Sequence, residues 1–291
     1  MPELPEVEVT RRRIEPLLID RRISSVRTTR DSYFFLTRPA ALKRNLLGRY
    51  TVELERRGKY LLLELDDGKR LMLHLGMTGQ LFSQHATSVR LLSASQRSSL
   101  SPGEQLCFKP DQHTHLSLGF ADRGPKVFFR DVRKFGKVRL LERGQSDPRL
   151  DRLGVDALEA SGEQLFRLTR RRKAAIKNVL LQQSVIAGIG NIYADEGLFL
   201  AGIRPTRRAS SLTRRRCEKL VGSLQRVLLR SIESGGCSIS DFIAPDGSDG
   251  LYQDERHVYG RTGEPCPRCG GLIRRLLLGQ RSTHFCPRCQ K

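Results

Sequence analysis

Cys266-Pro267-Arg268-Cys269 and Cys286-Pro287-Arg288-Cys289 fall within the last 26 residues, separated by a spacer of 16. Each pair offers two thiolates from one tight turn, and two such pairs supply the four sulfur ligands of a tetrahedral Zn²⁺. A thioredoxin-like redox motif needs only one pair, and it needs a βαβ setting that this sequence lacks. Four thiolates close the coordination shell and leave no position for water. The expected ion is therefore one structural zinc, and the chemistry must lie elsewhere. Arg268, Arg274, Arg275, Arg281 and Arg288 decorate the same ribbon. Such guanidinium groups suit phosphate or a base step, although a solvated basic surface has the same composition.

Outward from the ribbon, Cys107, Cys217 and Cys237 are scattered and make the total seven, an odd count that argues against a secreted disulfide framework. The chain has 291 residues, with 52 Lys plus Arg against 31 Asp plus Glu and a formal net charge of +21. That length suits a two-domain body with a small appendage. That charge suits a polyanion, nucleic acid before a ribosomal or membrane-surface role. There is no charged-then-apolar leader and no apolar run of about 18 residues. The expectation is a cytoplasmic protein with a nucleic-acid partner and no membrane partner.

Upstream of the ribbon the hydrophobic period divides the chain. Leu4, Val7, Ile14 and Leu18 predict a helix starting near Pro5, with Arg11, Arg12 and Arg13 among them. Period-2 segments follow at 51–55, 60–65, 71–75, 115–120, 126–130 and 137–142, which predict an antiparallel β domain. The Ser/Gln-rich stretch 83–113 reads as a long loop or insertion. From about Leu150 the period becomes helical. Ile176, Val179 and Leu180 mark one helix, and Leu220, Leu224, Val227, Leu228 and Ile232 mark a longer one ending at Gly235-Gly236. The fold class is α+β, with an all-helical second domain. No Gly-rich loop of the nucleotide-hydrolysing kind occurs, so no nucleotide cofactor is implied. Gly188-Ile189-Gly190-Asn191-Ile192-Tyr193 lies between helical segments, where backbone N–H groups at a helix start hold a phosphate. A turn that only packs would look the same.

The start of the chain offers a different chemistry. Initiator methionine is commonly removed before proline, which would expose a secondary amine at Pro2. A free α-amine has a pKa of about 7.7–8.0 against about 10.4 for lysine, so roughly one in ten is neutral at pH 7. Glu3 and Glu6 follow closely, and a carboxyl pair beside an amine divides the work of protonating a sugar oxygen and moving protons in an elimination.

Several ordered motifs carry a resemblance: Pro2-Glu3-Leu4-Pro5-Glu6-Val7-Glu8, Arg57-Gly58-Lys59-Tyr60-Leu61, His74-Leu75-Gly76-Met77-Thr78-Gly79, Asp131-Val132-Arg133-Lys134-Phe135-Gly136, Gly190-Asn191-Ile192-Tyr193-Ala194 and the four-cysteine ribbon. Together they closely resemble formamidopyrimidine-DNA glycosylases, from residue 2 to residue 291. The resemblance implies an N-terminal antiparallel β-sandwich domain flanked by helices (2–148), a helix-two-turn-helix domain (149–242), and a lesion-covering loop with a zinc-ribbon finger (243–291). It also implies damaged double-stranded DNA as partner, and a monomer.

The implied reaction flips an oxidised purine out of the duplex. Pro2 attacks C1′, and a Schiff base then permits β,δ-elimination. Residue by residue, Pro2 resembles the nucleophile, Glu3 the acid or base at the sugar ring, Glu6 a supporting carboxylate and Lys59 a contact to phosphates beside the lesion. Met77, Arg133 and Phe135 match residues that fill the vacated stack, and arginine suits the orphaned cytosine. Asn191 and Arg281 would hold the backbone at the kink, with Lys177 a further phosphate candidate. His113 and His115 read as structural or surface residues. Val132 and Lys134 depart from the proline and arginine common in the family. An endonuclease VIII-like enzyme for oxidised pyrimidines is the nearest alternative, and Leu4 argues against it, since that branch commonly has glycine there. A non-catalytic zinc-ribbon DNA-binding protein is the other alternative.

Overall fold

Leu61, Leu63, Leu71, Leu73 and Val138 are all buried. Their alternation in sequence puts them on one face of a pleated sheet. The sheet is antiparallel, in the order β2 (Thr51–Arg57), β3 (Tyr60–Leu65), β4 (Arg70–His74), β8 (Lys137–Leu141). Leu61 pairs with Leu73 and Leu63 with Leu71. A second antiparallel sheet has the order β1 (Ile23–Thr28), β6 (Thr114–Phe120), β7 (Val127–Asp131), β5 (Gly79–Ser83). It contributes Ile23, Leu81, Leu116, Leu118 and Phe129 to the same core, so the two sheets form a sandwich with one shared interior.

Helix α1 (Leu4–Ile14) adds Val7 and Ile14 to that core, Leu18 just beyond it joins them, and α2 (Pro39–Leu46) adds Leu42 and Leu46. Each fully buried leucine of this kind contributes about 1.5–3 kcal/mol of transfer free energy. Three elements were not legible from period alone. β1 is mostly half-buried or exposed, β5 buries Gln80 and Ser83 along with its apolar residues, and α2 is short.

The computed structural model describes residues 1–87, 108–238 and 242–291. Most of the Ser/Gln-rich stretch, 88–107, lies outside them. Its described flanks meet: Ala86 and Phe108 pack with Phe82, Phe128 and Ile243 in a small apolar cluster.

The chain divides into two compact units, 1–147 with 234–251 and 148–233 with 252–291. The segment 243–291 is thereby shared between them. In the second unit come α3 (Pro148–Asp151), α4 (Gly162–Thr169), α5 (Ile176–Leu180), α6 (Asn191–Ala201) and α7 (Arg214–Glu233). Ser161 and Gln164 cap α4 reciprocally. Helix α7 buries Leu220, Leu224, Val227, Leu228 and Ile232 on one face. Gly197 of α6 sits so close that an added Cβ would stand 2.4 Å from Leu224. A parallel pair of two-residue strands, β9 (Val155–Asp156) and β10 (Ile186–Ala187), makes this unit less purely helical than the period predicts.

The chain ends in an antiparallel hairpin, β11 (Arg274–Leu278) and β12 (Arg281–Phe285). Its two-residue turn has both Gly279 and Gln280 at positive φ, 57° and 61°, as a type I′ turn requires. Among the described residues no helix is long and apolar enough to cross a membrane.

Candidate active site

Pro5 in the first turn and a reciprocal capping pair make the N-terminus of α1 rigid. Glu6 is 2 % exposed and its Oε2 accepts the Glu3 N–H at 2.8 Å. Its Oε1 accepts the Cys237 N–H at 3.0 Å. Pro2 and Glu3 are buried beside it in sequence. The structure thus brings Pro2, Glu3 and Glu6 to one buried helix start. The dipole there favours the carboxylate.

Lys59 occupies the two-residue turn between β2 and β3, where Arg57 pairs with Tyr60, and it is 6 % exposed. The turn is braced from α1. Arg56 donates through Nε to Glu8 at 3.0 Å and through Nη1 to the Gly58 carbonyl at 3.0 Å. Glu8 also receives Arg11 and Arg12. Burial pushes the Glu8 carboxyl up, but these three guanidinium groups hold it below its usual range.

Met77, Arg133 and Phe135 stand on two loops that abut backbone to backbone. An added Cβ at Gly76, whose φ is +65°, would lie 2.5 Å from Gly136 N and from the Phe135 carbonyl carbon. Met77 and Phe135 remain 38 % and 43 % exposed, as does Val132 at 47 %. Isolated apolar side chains on a surface are ordinary. Here they crowd one rigid ledge together with the Arg133 guanidinium, which lies 4.7 Å from the Phe135 ring centroid.

The ledge is held from beneath by Asp131, a residue that sequence reasoning missed. It is fully buried. Its Oδ1 accepts the Thr78 hydroxyl and the Arg133 N–H, and its Oδ2 accepts the Gly136 N–H at 2.6 Å. One carboxylate therefore ties both loops. Of the two readings for His115, structural or surface, its burial and its pairing with the Asp131 carbonyl at 2.9 Å favour the structural one.

In the second unit, Asn191 opens α6, and its Nδ2 donates to the Ser282 carbonyl at 3.0 Å. That places Asn191 beside the strand start that carries exposed Arg281. Lys177 differs from its expectation as a phosphate contact. It is fully buried, ion-paired with Asp195 at 2.7 Å, and it donates to the Ser282 carbonyl at 2.7 Å and the Thr283 hydroxyl at 2.9 Å. An ammonium held by three oxygens in the interior braces the hairpin rather than reaching a ligand.

Asp195 and Glu196 extend this attachment and were also missed. Asp195 accepts the His284 N–H at 2.8 Å. Glu196 accepts the N–H groups of His257, Val258 and Tyr259 at 2.8–2.9 Å. A signal existed in the sequence: two adjacent carboxylates in a helix that is otherwise apolar all round must find buried partners.

The four cysteines converge. Their sulfurs lie within 4.8 Å of one another, with Cys266 to Cys289 at 3.8 Å and Cys269 to Cys286 at 3.5 Å. Disulfides would require about 2.05 Å. Four sulfurs at about 2.3 Å from one Zn²⁺ in a tetrahedron stand about 3.8 Å apart, so the site fits a single zinc.

Comparison with known proteins agrees with this arrangement. Residues 1–138 match the model of the formamidopyrimidine-DNA glycosylase N-terminal domain, 153–243 that of the formamidopyrimidine-DNA glycosylase H2TH domain, and 263–291 that of the zinc finger found in FPG and IleRS. A formamidopyrimidine-DNA glycosylase of Cupriavidus pinatubonensis is 42% identical over 304 residues, covering 100% of both chains. The crystal structure of the MutM (Fpg) protein from Thermus thermophilus superposes with a TM-score of 0.82 at 37% identity, covering 99% of this chain and 98% of that one. A structure of MutM in complex with carbocyclic 8-oxo-G containing DNA gives 0.84 at 35% identity, with 100% of both chains covered. On this full-length similarity, the chain belongs to the formamidopyrimidine-DNA glycosylase family.

Proposed function

We propose that this enzyme excises oxidised purines, 8-oxoguanine and formamidopyrimidines, from duplex DNA and then cleaves the strand at the resulting abasic site, in the first steps of base-excision repair. The observation that carries the reading is the buried constellation of Pro2, Glu3 and Glu6 at the start of α1. The name of the Cupriavidus relative and the 8-oxo-G complex of the MutM structure support the substrate class. The +21 charge supports the polyanionic partner.

In this reading Met1 is removed and the Pro2 amine attacks C1′ of the flipped nucleotide. The bond to the base breaks, and the base leaves with the electron pair and a proton. Glu3 protonates the sugar ring oxygen, which opens the ring and leaves a Schiff base between Pro2 and C1′. Loss of a C2′ proton expels the 3′ phosphate, and a second elimination expels the 5′ phosphate. Hydrolysis then frees the proline. Glu6 holds the Glu3 backbone and takes part in moving protons. Lys59 sits at the phosphates beside the lesion.

Met77 and Phe135 fill the gap left in the stack, and Arg133 pairs with the orphaned cytosine. Asn191 and Arg281 hold the backbone at the kink. Zn²⁺ on Cys266, Cys269, Cys286 and Cys289 supplies a closed tetrahedral staple that keeps the hairpin folded. The three functional segments are 2–148, 149–242 and 243–291, acting as a cytoplasmic monomer.

The test is a duplex with 8-oxoguanine opposite cytosine set against one with an oxidised pyrimidine. Strand cleavage with phosphate at both new ends, faster on the purine lesion, is expected. Faster cleavage of the pyrimidine lesion would assign the endonuclease VIII-like activity, and binding without cleavage would assign a non-catalytic protein.

A further inference from the structure

Some of the chain's guanidinium groups are neutralised within the fold. Arg11, Arg12, Arg13, Arg21, Arg56, Arg130, Arg139, Arg167, Arg214, Arg230 and Arg261 all meet carboxylates within 4 Å. One group of cations shares a concave site. A cavity of about 600 Å³ in the second unit is lined by Arg215, Arg216, Lys219, Arg268 and Lys291 together with Thr213, and by no carboxylate side chain. The Arg216 Nη1 is fully buried, and no acceptor stands within hydrogen-bond reach among the described residues.

The zinc centre adjoins the cavity, because Cys289 also lines it. Four thiolates on one Zn²⁺ would leave a net double negative charge, fewer than the five cations of the lining.

The cavity is separate from the residues proposed to hold lesion DNA. Asn191 starts α6, whereas the cavity takes Ala201 and Gly202 at its other end. Eleven residues of helix span about 16 Å. Likewise Arg281 stands at the tip of the hairpin, and Cys289 and Lys291 lie past its base.

We propose that this cavity is a second anion site, which takes phosphate oxyanions through Arg215, Arg216 and Lys219. The concave shape and the density of forked donors suit tetrahedral oxyanions better than a planar carboxylate. The phosphates come either from a free oligophosphate or from the backbone of a second DNA segment. In the latter case the protein would bridge two duplexes while it searches.

The experiment uses the zinc-loaded full chain and two variants. Arg216→Gln/Lys219→Gln removes the half-buried cation and one exposed one, and Arg215→Gln/Lys219→Gln removes two exposed cations only, in case the first perturbs folding. Calorimetric titration with inorganic tripolyphosphate in low-salt chloride is expected to show binding that weakens at least tenfold in both variants. Borohydride trapping on an 8-oxoguanine duplex should be unchanged in the same samples, which separates this site from the proposed catalytic one. A second arm measures capture of an undamaged duplex by protein already bound to lesion DNA. Loss of that capture in the variants assigns the phosphates to DNA, and retained capture with lost tripolyphosphate binding assigns them to a free oligophosphate. Equal tripolyphosphate affinity in wild type and both variants, or no binding to wild type, would overturn the proposal.

Discussion

The Cys237 N–H donates to Glu6 Oε1 at 3.0 Å, joining residues 231 positions apart. Glu6 also receives the Glu3 N–H, so one carboxylate fixes both the start of α1 and the segment at 235–237. Replacing Glu6 with Gln turns one acceptor oxygen into a donor that faces another N–H. The single-turnover rate of 8-oxoguanine release should fall about 10- to 100-fold, the equivalent of about 1.4–2.8 kcal/mol. Lesion-duplex affinity should stay within about threefold. Rapid-quench kinetics beside a binding titration checks this, and an unchanged release rate contradicts it.

Gly76 tests the ledge. Its left-handed φ and the 2.5 Å approach of Gly136 N leave no space for a methyl group. Gly76→Ala should cost about 2–4 kcal/mol of stability and weaken lesion-duplex binding tenfold or more, because Met77 and Phe135 no longer share a surface. Denaturant unfolding and a binding titration give both numbers. A variant as stable and as tightly bound as wild type would show that the loop contact is incidental.

Glu196 yields a pH dependence. Burial pushes its carboxyl up, but the His257 side chain and the N–H groups of Tyr259, Val258 and His257 outweigh this and hold it below 4.5. A depressed carboxylate contributes stability that is fully present above its unfolded pKa and is lost as pH falls toward its folded one. Glu196→Gln should therefore be less stable than wild type by about 3 kcal/mol near neutrality, and the gap should narrow as pH drops below 4.5. A gap that is constant or widens on acidification would refute the assignment.

Zinc removal should act on binding before chemistry. With verified loss of the metal the hairpin loses its staple, and with it the placement of Arg281 beside Asn191. Affinity for lesion duplex should drop at least tenfold and recover on adding Zn²⁺. Undiminished binding by metal-free protein would remove the ribbon's role.

Much of this was legible in the sequence because the signals are local. Two C-x2-C pairs, the short apolar runs at 60–65 and 71–75 bounded by turn residues, and the helical spacing of α7 each depend on neighbours only a few residues away. Lys177 shows where that stops. Its sequence setting is basic and surface-like, yet its charge is buried by Asp195 and the 282–283 strand, partners set by tertiary packing. Asp131 was hidden for a similar reason. It ends a strand within a charged run, and only the approach of the 75–79 loop makes it a tie between two loops. The short β1 and the polar-containing β5 escaped because a half-buried edge and a fully buried strand both erase the period-2 pattern.

The central claim is that Pro2 performs the chemistry. Incubating the protein with an 8-oxoguanine duplex, reducing with borohydride and mapping the covalent adduct by mass spectrometry tests it most directly. The account predicts one adduct, on the nitrogen of an N-terminal Pro2, and none when an N-terminal extension blocks that nitrogen although duplex binding persists. An adduct on a lysine, or base release by the blocked protein, would contradict it.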